Sequence, residues 1–386
     1  MSIPPTFFEQ DPITQTQELA KFLTEVGAKG LITNVTVENQ QKALVDCTAH
    51  LKHVLSYKFE DQEELTNFFT TLILLVLHSL DLESISQATD NICNLVKNNL
   101  DIPQNQMYSI IFALDILYKN LLSTEPTRLK VYDTILIGAI KTRRIILVND
   151  PKRINKWLME FPEHNQEKEQ IWRKLAELNN QFGENKKAIE CMTHLLETYT
   201  ENNASKGRKD AFDCIVAIIQ EPRILSMDHL LGLKPVQYLE GEPIFDLLQL
   251  LISGDLNDFR SFAEKNKKFL SDNKISEESC LKKLRTLCFM EMANQRTDLT
   301  FEEISKTLDL DLDEVELFVV DVIHQNVVNC KINQVLNKVA ILSALPRSFG
   351  MREWMKLQDN LGDWKCSLTK VKSSLIMMSK ERVVAN

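Results

Sequence analysis

Between Leu31 and Ile102 the chain contains neither glycine nor proline. Tight turns draw on those two residues, so a run of this length reads as consecutive helices rather than as short strands. The whole chain of 386 residues holds only 10 glycines and 11 prolines. Its 44% hydrophobic and 26% charged residues fit a soluble globular protein rich in helix, and the length allows two or three domains.

Apolar residues recur three and four apart, the spacing of one helix face. Ile110, Ile111, Leu114, Leu117 and Tyr118 form one stripe, and Val131, Ile135, Leu136 and Ile140 form the next. Phe68 to Leu80 is apolar nearly all round, which predicts a central helix packed on several sides. Asp150 and Pro151 supply an N-cap followed by Pro at the first helical position, opening the helix of Trp157 and Leu158. From Gln166 to Tyr199 the pattern is a helical hairpin. Ile171, Leu175 and Leu178 face inward, Gly183 ends the first helix, and Ala188, Ile189, Met192, Leu195 and Leu196 form the return. Such hairpins are the units of helical-repeat solenoids, although no strict repeat signature is present. Ala211, Cys214, Ile215 and Ile218 share the face of a further helix, with Pro222 beyond its end.

The stretch "GLKPVQYLEGEPIFDLLQLLISGDL", Gly232 to Leu256, concentrates punctuation that the rest of the chain lacks. Pro235 and Pro243 bracket a short connection, an apolar helix ends at Gly254, and Asp255 caps the next. This marks the change from stacked repeats to a separate compact unit. After Asp298, Thr300 and Glu303 make a capping box, with Ile304 and Leu308 facing inward. Asp313 and Glu316 read as a second box, with Val315, Phe318, Val319, Val322 and Ile323 inward. "VVNCKIN" and "KVAILSA" then flank a polar turn, Gln334 to Asn337, as two strands of a hairpin. Helix, turn, helix and β-hairpin make a winged helix.

The tail is the most regular segment. With Ser348 as cap, apolar residues fall at Trp354, Leu357, Leu361, Trp364, Leu368, Val371, Leu375 and Met378, alternately three and four apart. That is a heptad seam of period 3.5. The helix, roughly 40 Å long, is too long for a small winged helix to cover, which predicts packing on a partner. Gly362 costs it about 1 kcal/mol relative to Ala.

The formal charge of −9 argues against a surface that wraps nucleic acid. The beginning, "MSIPPTFFEQDPITQTQ", lacks the basic start and apolar run of a secretory signal. The longest apolar run, Leu72 to Leu77, is far short of the ~20 residues a membrane span needs. A cytosolic chain is expected. Eight cysteines (Cys47, Cys93, Cys191, Cys214, Cys280, Cys288, Cys330, Cys366) lie scattered, mostly among apolar residues, with no C-x-x-C pair, and are expected as buried thiols. Asn34-Val35-Thr36 and Asn203-Ala204-Ser205 match the glycosylation pattern by chance if the chain is not secreted.

No phosphate-binding loop, dinucleotide fingerprint, nucleophile elbow or H-E-x-x-H occurs, so catalysis has no evident home. Cys47, His50 and His53, echoed by Cys191 and His194, carry soft ligands, but three-residue spacing spreads them around a helix and no fourth ligand is evident. Asp309, Asp311 and Asp313 begin like a calcium loop, which then fails at Glu314 and Val320, where Gly and Glu are needed. The second winged-helix segment carries Asp311, Asp313, Glu314, Glu316 and Asp321 with no Lys or Arg, so phosphate repels it and DNA reading is not expected. From Lys331 onward the balance turns basic. Lys331, Lys338, Arg347 and Arg352 are the candidate basic surface, for RNA or an acidic subunit, against the plainer reading of a solvated bundle face.

Helical repeats, a punctuated helical unit, a winged helix and a long final helix, in that order, resemble the PCI family. Its members are scaffold subunits of the proteasome lid, the deneddylating signalosome and translation initiation factor three. "YTENNAS" (199–205), "DAFDCIVAII" (210–219), "MDHLLGLKPVQYLEGEPIFDLL" (227–248), "VELFVVDVIHQNVVNCKINQ" (315–334) and "RSFGMREWMKLQDNLGDWKCSLTKVKSSL" (347–375) are similar to the initiation-factor branch. The likeness is dense from about residue 190 to 375 and looser before.

The resemblance implies a mostly α chain: a right-handed helical-repeat solenoid over 1–186, a PCI domain over 187–345 with its winged helix at 299–345, and a C-terminal bundle helix over 346–386. It implies no enzyme, cofactor or metal. Expected partners are the PCI and MPN subunits of initiation factor three and, through the complex, the small ribosomal subunit, with no membrane and no sequence-specific DNA. The expected assembly residues are Trp354, Leu357, Leu361, Trp364, Leu368, Val371 and Leu375. A lid or signalosome subunit is the alternative, and a nucleic-acid-binding winged helix a more distant one.

Overall fold

The computed structural model describes residues 11–57, 59, 62–99, 102–122, 125–143, 150–201 and 203–384, and the chain divides into two compact units, Met1–Thr200 and Glu201–Asn386. The first unit contains α1 (Pro12–Glu25), α2 (Gln40–Ala49), α3 (Gln62–Ser79), α4 (Leu82–Asn98), α5 (Gln104–Asn120), α6 (Pro126–Thr142), α7 (Pro151–Leu158), α8 (Asn165–Gln181) and α9 (Asn185–Glu197). α2, α4, α6 and α8 pack in succession as one row, and α3 packs on α5 in a second. α5 with α6 and α8 with α9 form hairpins across the rows. This is the stacking of helical repeats.

Each helix buries the stripe its spacing predicts. Ile110, Ile111, Leu114 and Leu117 of α5 are buried, as are Val131, Ile135 and Leu136 of α6, while Tyr118 and Ile140 are half-buried. Each full burial of such a side chain contributes about 1.5–3 kcal/mol. α3 departs from the expected all-round burial. Phe68, Phe69, Leu72, Ile73, Leu75 and Val76 are enclosed, but Leu74 is exposed. A two-row stack leaves every helix one outward side. Asp150 accepts from the Lys152 N–H (3.2 Å), the expected cap of α7. Gly183 takes φ +73° between α8 and α9, a left-handed turn that a side chain would strain. The expected boundary at 186/187 falls within the first turn of α9, whereas the compact units part at Thr200/Glu201.

The second unit holds α10 (Arg208–Gln220), α11 (Lys234–Gln237), α12 (Pro243–Ser253), α13 (Leu256–Lys265), α14 (Lys267–Asp272), α15 (Glu277–Gln295), α16 (Phe301–Leu308), α17 (Leu312–His324) and α18 (Met351–Val384), with strands β1 (Asp298–Thr300), β2 (Val328–Asn333) and β3 (Lys338–Ala344). Ala211, Cys214, Ile215 and Ile218 of α10 are buried together. α12 ends before Gly254, where a Cβ would lie 2.8 Å from the Leu250 carbonyl oxygen, closer than a side chain tolerates. Asp255 opens α13 with Asp258 as a capping box.

The two helices and the β-hairpin of the winged helix form as expected. Thr300 Oγ1 accepts from the Glu303 N–H (3.3 Å) and Glu303 accepts from the Thr300 N–H (3.0 Å). The Thr300 N–H and hydroxyl both donate to the Glu303 carboxylate and hold it below its ordinary range. β2 and β3 pair antiparallel around the turn Gln334–Asn337. Two details differ. The cap of α17 is Asp311, not Asp313, so the helix starts two residues earlier than expected. A third strand, β1, pairs antiparallel with β3 in the sheet order β1-β3-β2. Asp309 takes φ +51° in the turn between α16 and α17. Arg285 donates to the carbonyls of Leu308 (3.0 Å) and Asp309 (2.7 Å), and Arg260 pairs with the Asp309 carboxylate.

Candidate assembly surface

α18 runs for 34 residues, about 51 Å at the α-helical rise. Its start is fixed by the linker before it. Arg347, expected on an open basic surface, is instead buried at 8% exposure. Its guanidinium donates to the carbonyls of Leu251 (3.0 Å) and Gly254 (2.8 Å) at the end of α12, and pairs with Glu291 of α15 (3.1 Å). Those carbonyls lie where a helix leaves its last acceptors unpaired and its dipole is negative. A guanidinium therefore fits there better than in solvent. The Phe349 N–H donates to Asp228 (2.8 Å). Burial pushes the Asp228 carboxyl up, but the donors from Phe349, Ser226 and His229 outweigh it and hold it below the ordinary range.

The helix itself begins at Met351, with Glu353 accepting from the Gly350 N–H (2.9 Å), and Ser348, the expected cap, lies outside it. Phe349 meets Trp354 edge-on at 5.0 Å. A groove of about 460 Å³ between α15, the linker and the base of α18 is lined by Glu291, Asn294, Arg347, Phe349, Lys356 and Leu357.

Beyond this base the apolar seam is open. Trp354, Leu357, Leu361, Trp364, Leu368, Val371 and Leu375 are all exposed, Trp364 at 68% and Leu368 at 69%. Met378, Lys380 and Arg382 lie on α18, but their side chains fall outside the described set, as does that of Arg352. A straight helix drifts about 20° per heptad against a 3.5 repeat, so the stripe winds slowly and matches a partner helix that supercoils with it. Among the described residues the seam offers exposed apolar area. Covering these side chains would release on the order of 10 kcal/mol before the cost of association.

Lys331 and Lys338 are exposed on β2 and β3. The register Lys331↔Ala340 and Asn333↔Lys338 places both lysines on one face of the hairpin. Sequence reasoning overlooked the apolar surface of the winged helix. Leu317 of α17 is 70% exposed, and the turn tip presents Val335 and Leu336, the first at 92%. Two apolar residues inside a polar turn were the available signal.

Cys47, His50 and His53, weighed and set aside as ligands in the sequence, form no metal-holding group: among the described residues no group of three or more His, Cys, Asp or Glu side chains is placed to hold an ion. Burial pushes the Cys47 thiol up to about 12, the opposite of a ligand thiolate. His50 faces the Asp46 carbonyl oxygen through Nδ1 (3.0 Å) and stacks on His53. His194 pairs with Glu197 (2.8 Å). No helix among the described residues is long and apolar enough to cross a membrane.

Residues 263–342, spanning α13 to β3, match the PCI domain model. Full-length relatives are more specific. The chain is 35% identical over 378 residues to eukaryotic translation initiation factor 3 subunit M of Schistosoma japonicum, covering 96% of this chain and 97% of the relative. It is 31% identical to the subunit M of Xenopus laevis and 30% to that of Homo sapiens, each over 98% of this chain and the whole of the relative. The chain belongs to the initiation factor 3 subunit M family. The likeness spans the N-terminal repeats as well as the PCI region, so the family is carried by both units.

Proposed function

We propose that the chain is a non-catalytic scaffold subunit of the eukaryotic translation initiation factor 3 complex in the cytoplasm. It assembles with other PCI and MPN subunits through its winged helix and its C-terminal helix. Through the complex it supports recruitment of mRNA and initiator tRNA to the small ribosomal subunit. The PCI domain proper is taken as 187–345, and Lys331 and Lys338 as a secondary contact surface.

The observation that supports this reading is the unpartnered seam of α18, seven apolar side chains in heptad spacing and open to solvent. Isolated apolar residues on a surface are ordinary, but a continuous heptad stripe on a helix about 51 Å long asks for a partner. Changing Leu361, Trp364 and Leu368 to Asp tests it. The triple variant should keep its helical content and melting midpoint, because these side chains cover nothing in the chain. It should fail to co-purify with the other initiation-factor subunits. Normal incorporation would refute the seam as the assembly surface.

A further inference from the structure

The flanks of the seam say what kind of helix covers it, an inference that rests on the assembly role proposed above. With Trp354, Leu361, Leu368 and Leu375 at the first seam position of each heptad and Leu357, Trp364 and Val371 at the second, the two flanks are unlike. One flank carries Gln358, Lys365 and Lys372, and the other Glu353, Asn360, Ser367 and Ser374. Residues in these flanking positions face a partner helix and decide which partner is accepted.

Lys365 and Lys372 are exposed, and neither makes an ion pair among the described residues. Their own helix offers no carboxylate three or four residues away: positions 361, 362, 368 and 369 around Lys365, and 368, 369, 375 and 376 around Lys372, hold no Asp or Glu. Glu353, the one acid in the flanks, is already engaged with the Gly350 N–H. The two lysine charges are therefore left for another chain.

A second copy does not satisfy them. In a parallel pairing Lys365 would face Asn360 and Lys372 would face Ser367, with no opposite charge. In an antiparallel pairing the lysine-bearing flank would lie against itself. We infer that the seam is closed by an α-helix of a different subunit, apolar in the same three-and-four spacing and carrying Asp or Glu at two flanking positions seven residues apart. These carboxylates pair with Lys365 and Lys372 and exclude self-association of the chain.

Single charge reversals on the full-length chain test this. Lys365→Glu and Lys372→Glu should each lower co-purification of the other initiation-factor subunits by about fivefold or more, since like charges opposed across an interface are costly. Lys370→Glu, an identical change on the outward side of the same helix, should leave it unaltered. The free chain should sediment as a 44.5 kDa monomer. Equal losses from all three reversals would mean a general charge effect and overturn the inference, as would no loss from any of them. A seam-dependent homodimer, dispersed by the Leu361, Trp364 and Leu368 to Asp change, would overturn it too. If the triple Asp variant itself enters the complex normally, the assembly reading falls and this inference with it. If the triple variant is excluded while Lys365→Glu and Lys372→Glu enter like Lys370→Glu, the charge rule alone falls.

Discussion

Arg347 brings a guanidinium to the three carbonyls of Leu250, Leu251 and Gly254, at 3.3, 3.0 and 2.8 Å. A guanidinium has five N–H donors in a planar fork and no acceptor, so it suits a helix end where acceptors crowd. Replacing it with Ala should lower stability by about 3 kcal/mol, because charged hydrogen bonds are lost and carbonyls are left unpaired. Glu291 is half open to solvent, so Glu291→Ala should cost less than about 1 kcal/mol. Urea unfolding midpoints of the two variants decide between them, and equal losses would assign the anchor to the ion pair instead. Lys283 follows the same logic, donating to the carbonyls of Ile218 (2.6 Å) and Glu221 (2.9 Å) at the end of α10. Burial lowers it to about 8. Neither role was legible in the sequence, where Arg347 reads as one more base in a basic tail. Its acceptors lie almost a hundred positions away along the chain, and only the fold brings them together.

Helices and their caps were legible because their signals are local. Thr300 and Glu303 sit three apart and close their box without help from the rest of the chain. The two wing strands and their turn were readable for the same reason. The choice of Asp311 over Asp313 was not, since both are good caps and the length of the preceding turn selects between them. β1 could not be read from Asp298, Leu299 and Thr300, because three residues become a strand only by pairing with Ala340, Val339 and Lys338. In α18, Gly362 stands in open space with no atom near enough to object to a Cβ. Gly362→Ala should strengthen that helix by about 1 kcal/mol. Hydrogen exchange should show roughly fivefold more protection at the neighbouring amides, with the stability of the remaining elements unchanged. Unchanged protection would mean that α18 opens only with the unit as a whole.

For the molecule as a whole, the two units bury seven of the eight cysteines and leave Cys366 of α18 exposed. Burial raises Cys191 to about 12, and Cys93 and Cys280 to about 11, so these thiols stay protonated at neutral pH. A thiol reagent should therefore modify one cysteine rapidly in the native chain and all eight after unfolding, and Cys366→Ser should abolish the rapid reaction. Fast modification of a second thiol would show that one of the units opens readily. The sequence alone determined the helical class, the order of repeats, winged helix and tail, and the exposed seam. All of these follow from which side chains recur on one face, a property of neighbours along the chain. Tertiary structure alone decided where the units part, that β1 joins the wing, and that Arg347 anchors the base of α18 rather than facing solvent. Those outcomes depend on groups far apart in the chain meeting at hydrogen-bonding distance, and no local period encodes that meeting.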